Sequence, residues 1–302
     1  MTTVAVVGPG AIGSTIAAWL AQDDRLDVTI CTRSHRDSLR IDTPTGPIEA
    51  DPAVLTAWDD ASPVDWVLFA VKTYDVESAS GWLGRLVSSQ TRVAVLQNGV
   101  EHVARLRPYM PEQQIVPVIV DIPAQRMPDG TVRQATMGTL VVPHDPAGEA
   151  FVDLFSATPI EVSTTDDFVS TAWTKLCLNA AGAVGALLKQ PAGIAHQEPV
   201  AEMIREVVAE TMLVGRAEGA VLSDDLPEIV VTRTRENPPL FANSIVADRI
   251  AGRRTEVEAR NGAVVRAGAA HGIPTPLNAM LTALVGADPV PGFPEEERTT
   301  TA

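Results

Sequence analysis

The 302-residue chain carries a formal net charge of −15, with 45% apolar and 20% charged residues. This acidic balance excludes nucleic acid and anionic membranes as partners, because both repel a negative surface. The length predicts two domains, and the apolar fraction is sufficient to give them buried cores. The two cysteines, Cys31 and Cys177, have no metal or redox spacing, which favours a reducing compartment.

The N-terminus has no charged stretch before its first apolar run, so no signal peptide is expected. The longest apolar run, at 173–188, contains Lys175 and Asn179. It is also shorter than the roughly 18 apolar residues that suggest a membrane helix. We therefore expect a cytoplasmic protein.

The first half of the chain alternates between strand-like and helix-like segments. Strands are predicted at Val4–Val7, Val28–Thr32, Trp66–Val71 and Val93–Leu96, and helices at Ala11–Ala21 and Val76–Val87. This alternation predicts an α/β fold with a Rossmann-type, doubly wound parallel sheet. Between Ile115 and Val142 the turn signal Pro128-Asp129-Gly130 separates strand-like runs and predicts antiparallel hairpins.

The second half is predicted to be almost entirely helical. The predicted helices span 167–188, 197–219, 224–236, 256–270 and 276–285. We therefore predict a dinucleotide-binding domain at 1–165 and an all-helical C-terminal domain at 166–290. The proline-rich, polar tail at 291–302 is expected to be disordered.

The sequence "VVGPGAIG" places Gly8, Gly10 and Gly13 as G-x-G-x-x-G between a strand and a helix. The first glycine makes the tight turn, the second admits a pyrophosphate and the third packs helix on strand. The helix N-terminus supplies the anion site. The loop, including Pro9 and the segment 11–12 (Ala11 and Ile12), is therefore predicted to bind a dinucleotide; the alternative is a plain glycine turn.

Specificity for the ribose of this dinucleotide is predicted from the end of the second strand. NAD sites usually carry an acidic residue there, whereas this chain has Thr32 and Arg33. An arginine can pair with the 2′-phosphate, so NADP(H) is predicted over NAD, with Arg36 as a second contact. The alternative is that both arginines belong to a solvated basic loop.

Two more polar residues follow predicted strands at the same edge of the sheet. Lys72 follows one strand and Asn98 another, so both are expected to face cofactor or substrate. The alternatives are a solvated charge for Lys72 and a turn or cap for Asn98. Neither Tyr74 nor Tyr109 is followed by a lysine four residues later. This excludes the Tyr-x-x-x-Lys catalytic motif of short-chain dehydrogenases. Scattered histidines predict no metal site.

Lys175 and Asn179 lie four residues apart in the apolar run, so a helix presents them on one face. A buried ammonium without a partner releases its proton more readily than an exposed one and would suit general acid catalysis. The alternative is that Lys175 extends to solvent.

Four further polar residues fall in the block 244–258. Thr255 and Glu258 fit a capping box, which leaves Glu256 without that structural role. The alternative for Glu256 is a favourable charge at a helix N-terminus, and for Ser244 an N-cap.

Taken together, these segments resemble the ketopantoate reductase (2-dehydropantoate 2-reductase) family over about residues 3–285. The motifs that carry the resemblance are "GPGAIG", "AVKTYD", "LQNGV", "WTKLCLN", the "S…D…GRRTE" run at 244–256, and "HGIPTP". The resemblance implies a Rossmann domain and a helical domain with the active site between them, NADPH as cofactor, and a place in pantothenate biosynthesis.

The resemblance also implies roles for individual residues. Lys175 would be the general acid that protonates the alkoxide after hydride reaches the C2 carbonyl. Asn98, Asn179 and Ser244 would hold the 2-oxo acid. Lys72 and Glu256 would contact the cofactor or organise the site, with Glu256 counted among the catalytic residues. A homodimer through the helical domain is also expected.

The chain departs from the family pattern at the substrate. Family members often have asparagines where this chain has Ala183 and Ala192, and a Ser-Met pair where it has Ser244-Ile245. A more apolar 2-oxo acid or ketone is therefore the alternative substrate, because a lost polar contact can alter discrimination by a factor of about 10⁴. An alternative of another class is a non-catalytic NADP(H)-binding sensor.

Overall fold

The structure, a computed structural model, describes residues 1–34 and 38–287. The strands, in chain order, are β1 (Thr2–Val7), β2 (Leu26–Cys31), β3 (Leu39–Thr43), β4 (Gly46–Ala50), β5 (Ala53–Leu55), β6 (Trp66–Phe69), β7 (Arg92–Val95), β8 (Ile115–Pro117), β9 (Ile119–Asp121), β10 (Ala124–Arg126), β11 (Val132–Gln134), β12 (Thr139–Pro143) and β13 (Glu161–Thr165). The α-helices are α1 (Ala11–Leu20), α2 (Val76–Leu86), α3 (His102–Leu106), α4 (Pro146–Leu154), α5 (Phe168–Leu188), α6 (Glu198–Ala217), α7 (Leu226–Glu236), α8 (Ser244–Ile250), α9 (Asn261–His271) and α10 (Pro276–Gly286).

The main sheet of the N-terminal part has the order β5-β2-β1-β6-β7-β8, and all its neighbouring strands are parallel. Its central strands are buried along their whole apolar length, as in Val4–Val7 and Trp66–Phe69. Helices that connect parallel strands cover both faces of such a sheet, which explains continuous rather than alternating apolar runs. The predicted α/β fold with a doubly wound sheet is confirmed.

Two smaller sheets complete the N-terminal part. The hairpin of β10 and β11 turns at Gly130, whose φ is 89°, and β9 pairs antiparallel with β12, so the predicted hairpins are present. However, β11 also pairs with β3 and β12 with β13 in parallel. The hairpin of β3 and β4 was not predicted, because its half-exposed strands carry a weak apolar signal.

The C-terminal part is helical, as predicted, and is built around α5. Asp167 is the N-cap of α5, and its side chain accepts a hydrogen bond from the Ser170 backbone N–H at 3.0 Å. Small residues in α5 let α8 approach closely: a Cβ at Gly182 would lie 2.6 Å from the Asn243 side chain. Since Asn243 caps α8, this close packing fixes where α8 begins.

The predicted helix at 256–270 is two segments. A 3₁₀ helix, Val257–Ala259, is followed by α9, and the chain breaks direction at Arg260 (φ −105°, ψ −91°). The predicted capping box is therefore wrong. The Thr255 hydroxyl is buried without a hydrogen-bond partner in the described part of the chain, and Glu258 pairs with Arg266.

The N-terminal and the C-terminal part each have their own buried apolar clusters. Two clusters lie within the N-terminal part, and the third joins α5, α6, α8 and α10. The boundary at 165 stays a prediction. The predicted tail, 291–302, and the last three residues of the predicted helical domain lie outside the described residues.

Within residues 1–34 and 38–287, every helix is too short or too polar to cross a bilayer. A cytoplasmic location stays a prediction. Cys31 and Cys177 are free and buried in different clusters, and burial raises the pKa of each thiol to about 12.

Candidate active site

The glycine loop after β1 has the geometry of a phosphate cradle. Gly8 has a φ of 85°, and a Cβ there would lie 2.6 Å from Val71 Cγ1. A Cβ at Gly13 would collide with the Gly8 carbonyl oxygen, whereas one at Gly10 would meet only that oxygen, 4.0 Å away. The first and third glycines therefore serve packing, and the second leaves open space for a ligand.

Gly10 is also the N-cap of α1 and provides no side-chain cap, so N–H groups of the first turn are available to an anion. Ala11 and Ile12 form this first turn. The preceding Pro9 carbonyl accepts a hydrogen bond from the Ser14 hydroxyl at 3.0 Å and another from Arg126 of β10. The loop thus fits the pyrophosphate of a dinucleotide, and Arg126 is a contact that the sequence did not reveal.

The end of β2 lies beside this loop. The Gly8 backbone N–H donates to the Cys31 carbonyl at 3.1 Å, and the chain continues through buried Thr32 to exposed Arg33. Arg33 therefore follows the strand adjacent to β1 at the edge where the cradle opens. The second predicted phosphate contact, Arg36, lies outside the described residues.

Glu256 brings the two parts of the chain together. Its carboxylate accepts hydrogen bonds from Lys72 Nζ (2.9 Å), the Thr73 backbone N–H (3.2 Å) and Asn98 Nδ2 (3.2 Å). Lys72 also contacts Asp248 Oδ2 at 3.2 Å. Glu256 precedes the short 3₁₀ helix and is 5% exposed, so it acts as a hydrogen-bond acceptor between the parts rather than as a simple helix charge.

Burial and charge attraction shift the pKa values of Glu256 and Lys72 in opposite directions. Burial alone would raise the pKa of Glu256, but the charges of Lys72 and Arg260 and the hydrogen bonds hold it below its usual value. Burial alone would lower the pKa of Lys72, but Glu256 and Asp248 raise it. Both shifts favour the charged forms, so attraction outweighs the desolvation of the pair.

Lys175 and Asn179 project from the same face of α5, as predicted. Asn179 Nδ2 donates to Asn98 Oδ1 at 3.3 Å, which links α5 to the carboxyl end of β7. Lys175 Nζ pairs with Asp121 at the end of β9. The expectation of a buried ammonium without a partner is therefore wrong. A small crevice is lined by these two α5 side chains and Asn98, with Gly99, Ile119 and Val120.

Ser244 is the first residue of α8, and its Oγ accepts a hydrogen bond from Arg260 Nη2 at 2.7 Å. The N-cap is its neighbour Asn243, whose Oδ1 accepts from the Val246 backbone N–H at 3.1 Å. Ser244 is exposed, whereas Arg260 behind it is buried. The N-cap alternative for Ser244 is thus wrong.

Direct hydrogen bonds join four of the predicted residues: Lys72, Asn98, Asn179 and Glu256. Ser244 contacts Arg260 instead. Besides Arg126, sequence reasoning assigned no role to three charged residues of this site: Asp121, Arg260 and Asp248, the aspartate of the "S…D…GRRTE" run. The available signal for Asp121 was a charged residue at the end of an apolar strand. The signal for Asp248 was its position four residues after Ser244, which a helix places on the same face. A roomier pocket along α7 contains none of the predicted residues.

The three departures from the family pattern occupy buried or half-buried positions. Ala183 and Ile245 are buried in the helical core, and Ala192 is half-buried at the start of a 3₁₀ helix. Within the described ranges, no three His, Cys, Asp or Glu side chains are placed to hold a metal ion.

Comparisons with known proteins cover almost the whole chain. Residues 4–146 match the family described as ketopantoate reductase PanE/ApbA, and residues 167–288 match its C-terminal counterpart. A 2-dehydropantoate 2-reductase of Caulobacter vibrioides is 53% identical, covering 95% of this chain and 99% of that protein. One from Mycobacterium tuberculosis is 38% identical, with 95% and 97% covered.

Solved structures agree with the sequence matches. The crystal structure of a PanE/ApbA family ketopantoate reductase from Ralstonia eutropha JMP134 superposes with a TM-score of 0.84 at 31% identity. The superposition covers 94% of this chain and 97% of that one. The likeness therefore extends through both the sheet and the helical part.

Proposed function

Because the chain belongs to the ketopantoate reductase family of oxidoreductases acting on CH–OH groups, we propose that it reduces 2-dehydropantoate to pantoate with NADPH. One observation carries the proposal. The Asn179–Asn98 hydrogen bond brings the Lys175 face of α5 to the sheet edge that also carries the glycine loop. Ligands of open α/β sheets bind at this carboxyl edge.

The cofactor site is proposed at residues 8–13, with Arg33 contacting the 2′-phosphate of NADPH. The open space at Gly10 and the uncapped first turn of α1 support pyrophosphate binding there. The bound nicotinamide would supply the hydride. Lys72 is engaged by Glu256 and Asp248, so its proposed role is to organise the cofactor side of the cleft.

Lys175 is proposed as the general acid. Its ammonium group would donate a proton to the oxygen that becomes the hydroxyl of the product. Asp121 keeps this cation in place when no substrate competes for it. Asn98 and Asn179 offer amide groups to the 2-oxo acid, Ser244 offers a hydroxyl, and Glu256 fixes the orientation of Asn98.

The test is NADPH oxidation with 2-dehydropantoate, comparing the wild type with Lys175→Met and Lys175→Arg. Both variants should lose about 10²–10⁴-fold in turnover, because neither side chain is an effective acid, while NADPH binds as before. Lys175→Arg is the matched control, since it keeps the charge opposite Asp121. Turnover of Lys175→Met within a factor of three of wild type would remove Lys175 from the mechanism.

The choice of cofactor is tested separately with Arg33→Ala. The variant should weaken NADPH binding by about 10–100-fold, the equivalent of one charge-assisted contact, and leave NADH binding unchanged. An equal effect on the two dinucleotides would contradict the proposed contact with the 2′-phosphate.

A second candidate substrate is a more apolar 2-oxo acid, favoured because Ala183 and Ala192 stand where the family often has asparagine and offer no side-chain hydrogen bond. A panel of 2-oxo acids with increasingly apolar side chains distinguishes the two through kcat/KM. A non-catalytic sensor would bind NADPH and oxidise it with none of them. The homodimer through the helical part stays a prediction that light scattering measures directly.

A further inference from the structure

Arg260 is a buried cation with no role in the proposed reaction. It stands at the break between the 3₁₀ helix and α9, and only 3% of it is exposed. Its Nη2 donates to Ser244 Oγ at 2.7 Å. Its Nε has no hydrogen-bond partner in the described part of the chain. Burial of a guanidinium is costly unless nearby groups compensate for it.

The carboxylates near Arg260 are already shared with other cations. Glu256 and Asp248 both attract Arg260, but Lys72 contacts both of them, and Arg253 Nε binds Asp248 Oδ1 at 2.8 Å. The cluster thus contains three cations and two carboxylates. One positive charge is left over beside the exposed Ser244, which favours an anion at this place.

The direction of the Ser244 hydrogen bond also follows from chemistry. A guanidinium has only donors, so Ser244 Oγ must accept from Arg260. The hydroxyl proton of Ser244 is then free to point away from Arg260 toward the exposed side. Ser244 is therefore preset to donate a hydrogen bond to a group that approaches its exposed side.

We propose that Arg260 is a positioning residue, which holds Ser244 as a donor to the substrate carboxylate and makes the site select anionic over neutral 2-oxo compounds. This inference rests on the proposed function, because it takes Ser244 as a contact of the 2-oxo acid. It assigns the carboxylate selectivity to the Ser244–Arg260 pair.

The test compares 2-dehydropantoate with its cyclic ester, which keeps the 2-oxo group and lacks the ionised carboxylate. In Arg260→Gln the KM for the acid should rise about 10–30-fold, while kcat and the Kd for NADPH stay within about threefold. The KM for the ester should not change. Arg260→Lys, which can still donate to Ser244, should recover part of the loss.

Ser244→Ala provides a second route, and because it leaves Nη2 of the buried Arg260 without this acceptor, urea unfolding first checks that the variant is folded. It should lose the same discrimination between acid and ester, and the double variant should lose no more than either single one. Arg235→Gln is the matched control, since this arginine of α7 binds Ala195 and Glu198 instead. Acid and ester affected equally, or a Ser244→Ala variant that keeps full discrimination, would overturn the inference.

Calorimetric binding of the 2-hydroxy acid pantoate, in the presence of NADP⁺, separates this inference from the proposed function. If wild type binds pantoate through Arg260 but oxidises no NADPH with any 2-oxo acid, the proposed function fails and the inference stands. If wild type turns over and the Arg260 variants keep their discrimination, the inference alone fails. If wild type neither binds nor turns over, both are overturned.

Discussion

Glu256→Gln should destabilise the fold by about 2 kcal/mol at pH 7. Three donors meet this carboxylate, and hydrogen bonds to a charged group are worth about twice those to a neutral one, a loss of about 1 kcal/mol each. Relief of desolvation offsets part of this sum, and Lys72, whose side chain is 41% exposed, is screened by water. The lowered pKa of Glu256 indicates that attraction exceeds desolvation, so the sign is destabilising.

The same pKa shift sets the pH dependence. A carboxyl whose pKa is lower in the folded state adds stability above its unfolded value, here about 4.5, and loses it as the pH falls through the folded value. Urea unfolding of wild type and Glu256→Gln should therefore differ most near pH 7 and converge as the pH falls below the lowered pKa of Glu256. Glu258→Gln, in the exposed pair with Arg266, should change little. Equal stability of wild type and Glu256→Gln at pH 7, or a difference that does not depend on pH, would refute this reasoning.

Three further predictions address the glycine loop, a buried histidine and the thiols. Gly13→Ala should abolish dinucleotide binding in fluorescence titrations, because its Cβ would collide with the Gly8 carbonyl. Burial lowers the pKa of His102 to about 4, so its contribution to stability, up to about 3 kcal/mol, is present above pH 6.5 and lost toward pH 4. His102→Gln should remove that pH dependence from unfolding curves. Cys31 and Cys177 should react with a thiol reagent only after unfolding, since burial raises their pKa values to about 12.

Local sequence patterns were sufficient to predict the strands and helices and to predict one face of the site. Continuous apolar runs predicted the parallel strands, and the helical period placed Lys175 and Asn179 on one side of α5. The order of polar residues after strands also placed Lys72 and Asn98 at one edge. These features depend on neighbours within a few residues, which a single sequence displays.

Contacts between distant segments were not accessible in this way. Asp121 pairs with Lys175, 54 residues later, and nothing near either residue announces the partner. The capping-box prediction failed because a short 3₁₀ helix with Glu256 as its N-cap follows Thr255, and the chain breaks at Arg260 before α9 begins. Tertiary hydrogen bonding overrode local preference at that position.

The contacts of Lys72 affect the design of chimeras between homologous proteins. Lys72 comes from one end of the sequence, and its partners Asp248 and Glu256 come from the other. A chimera that joins residues 1–165 of this chain to the helices of a distant homologue would inherit an orphaned cation, unless the donor brings acidic side chains to both positions. Swaps between such enzymes should therefore be chosen by matched charge at this junction before overall identity.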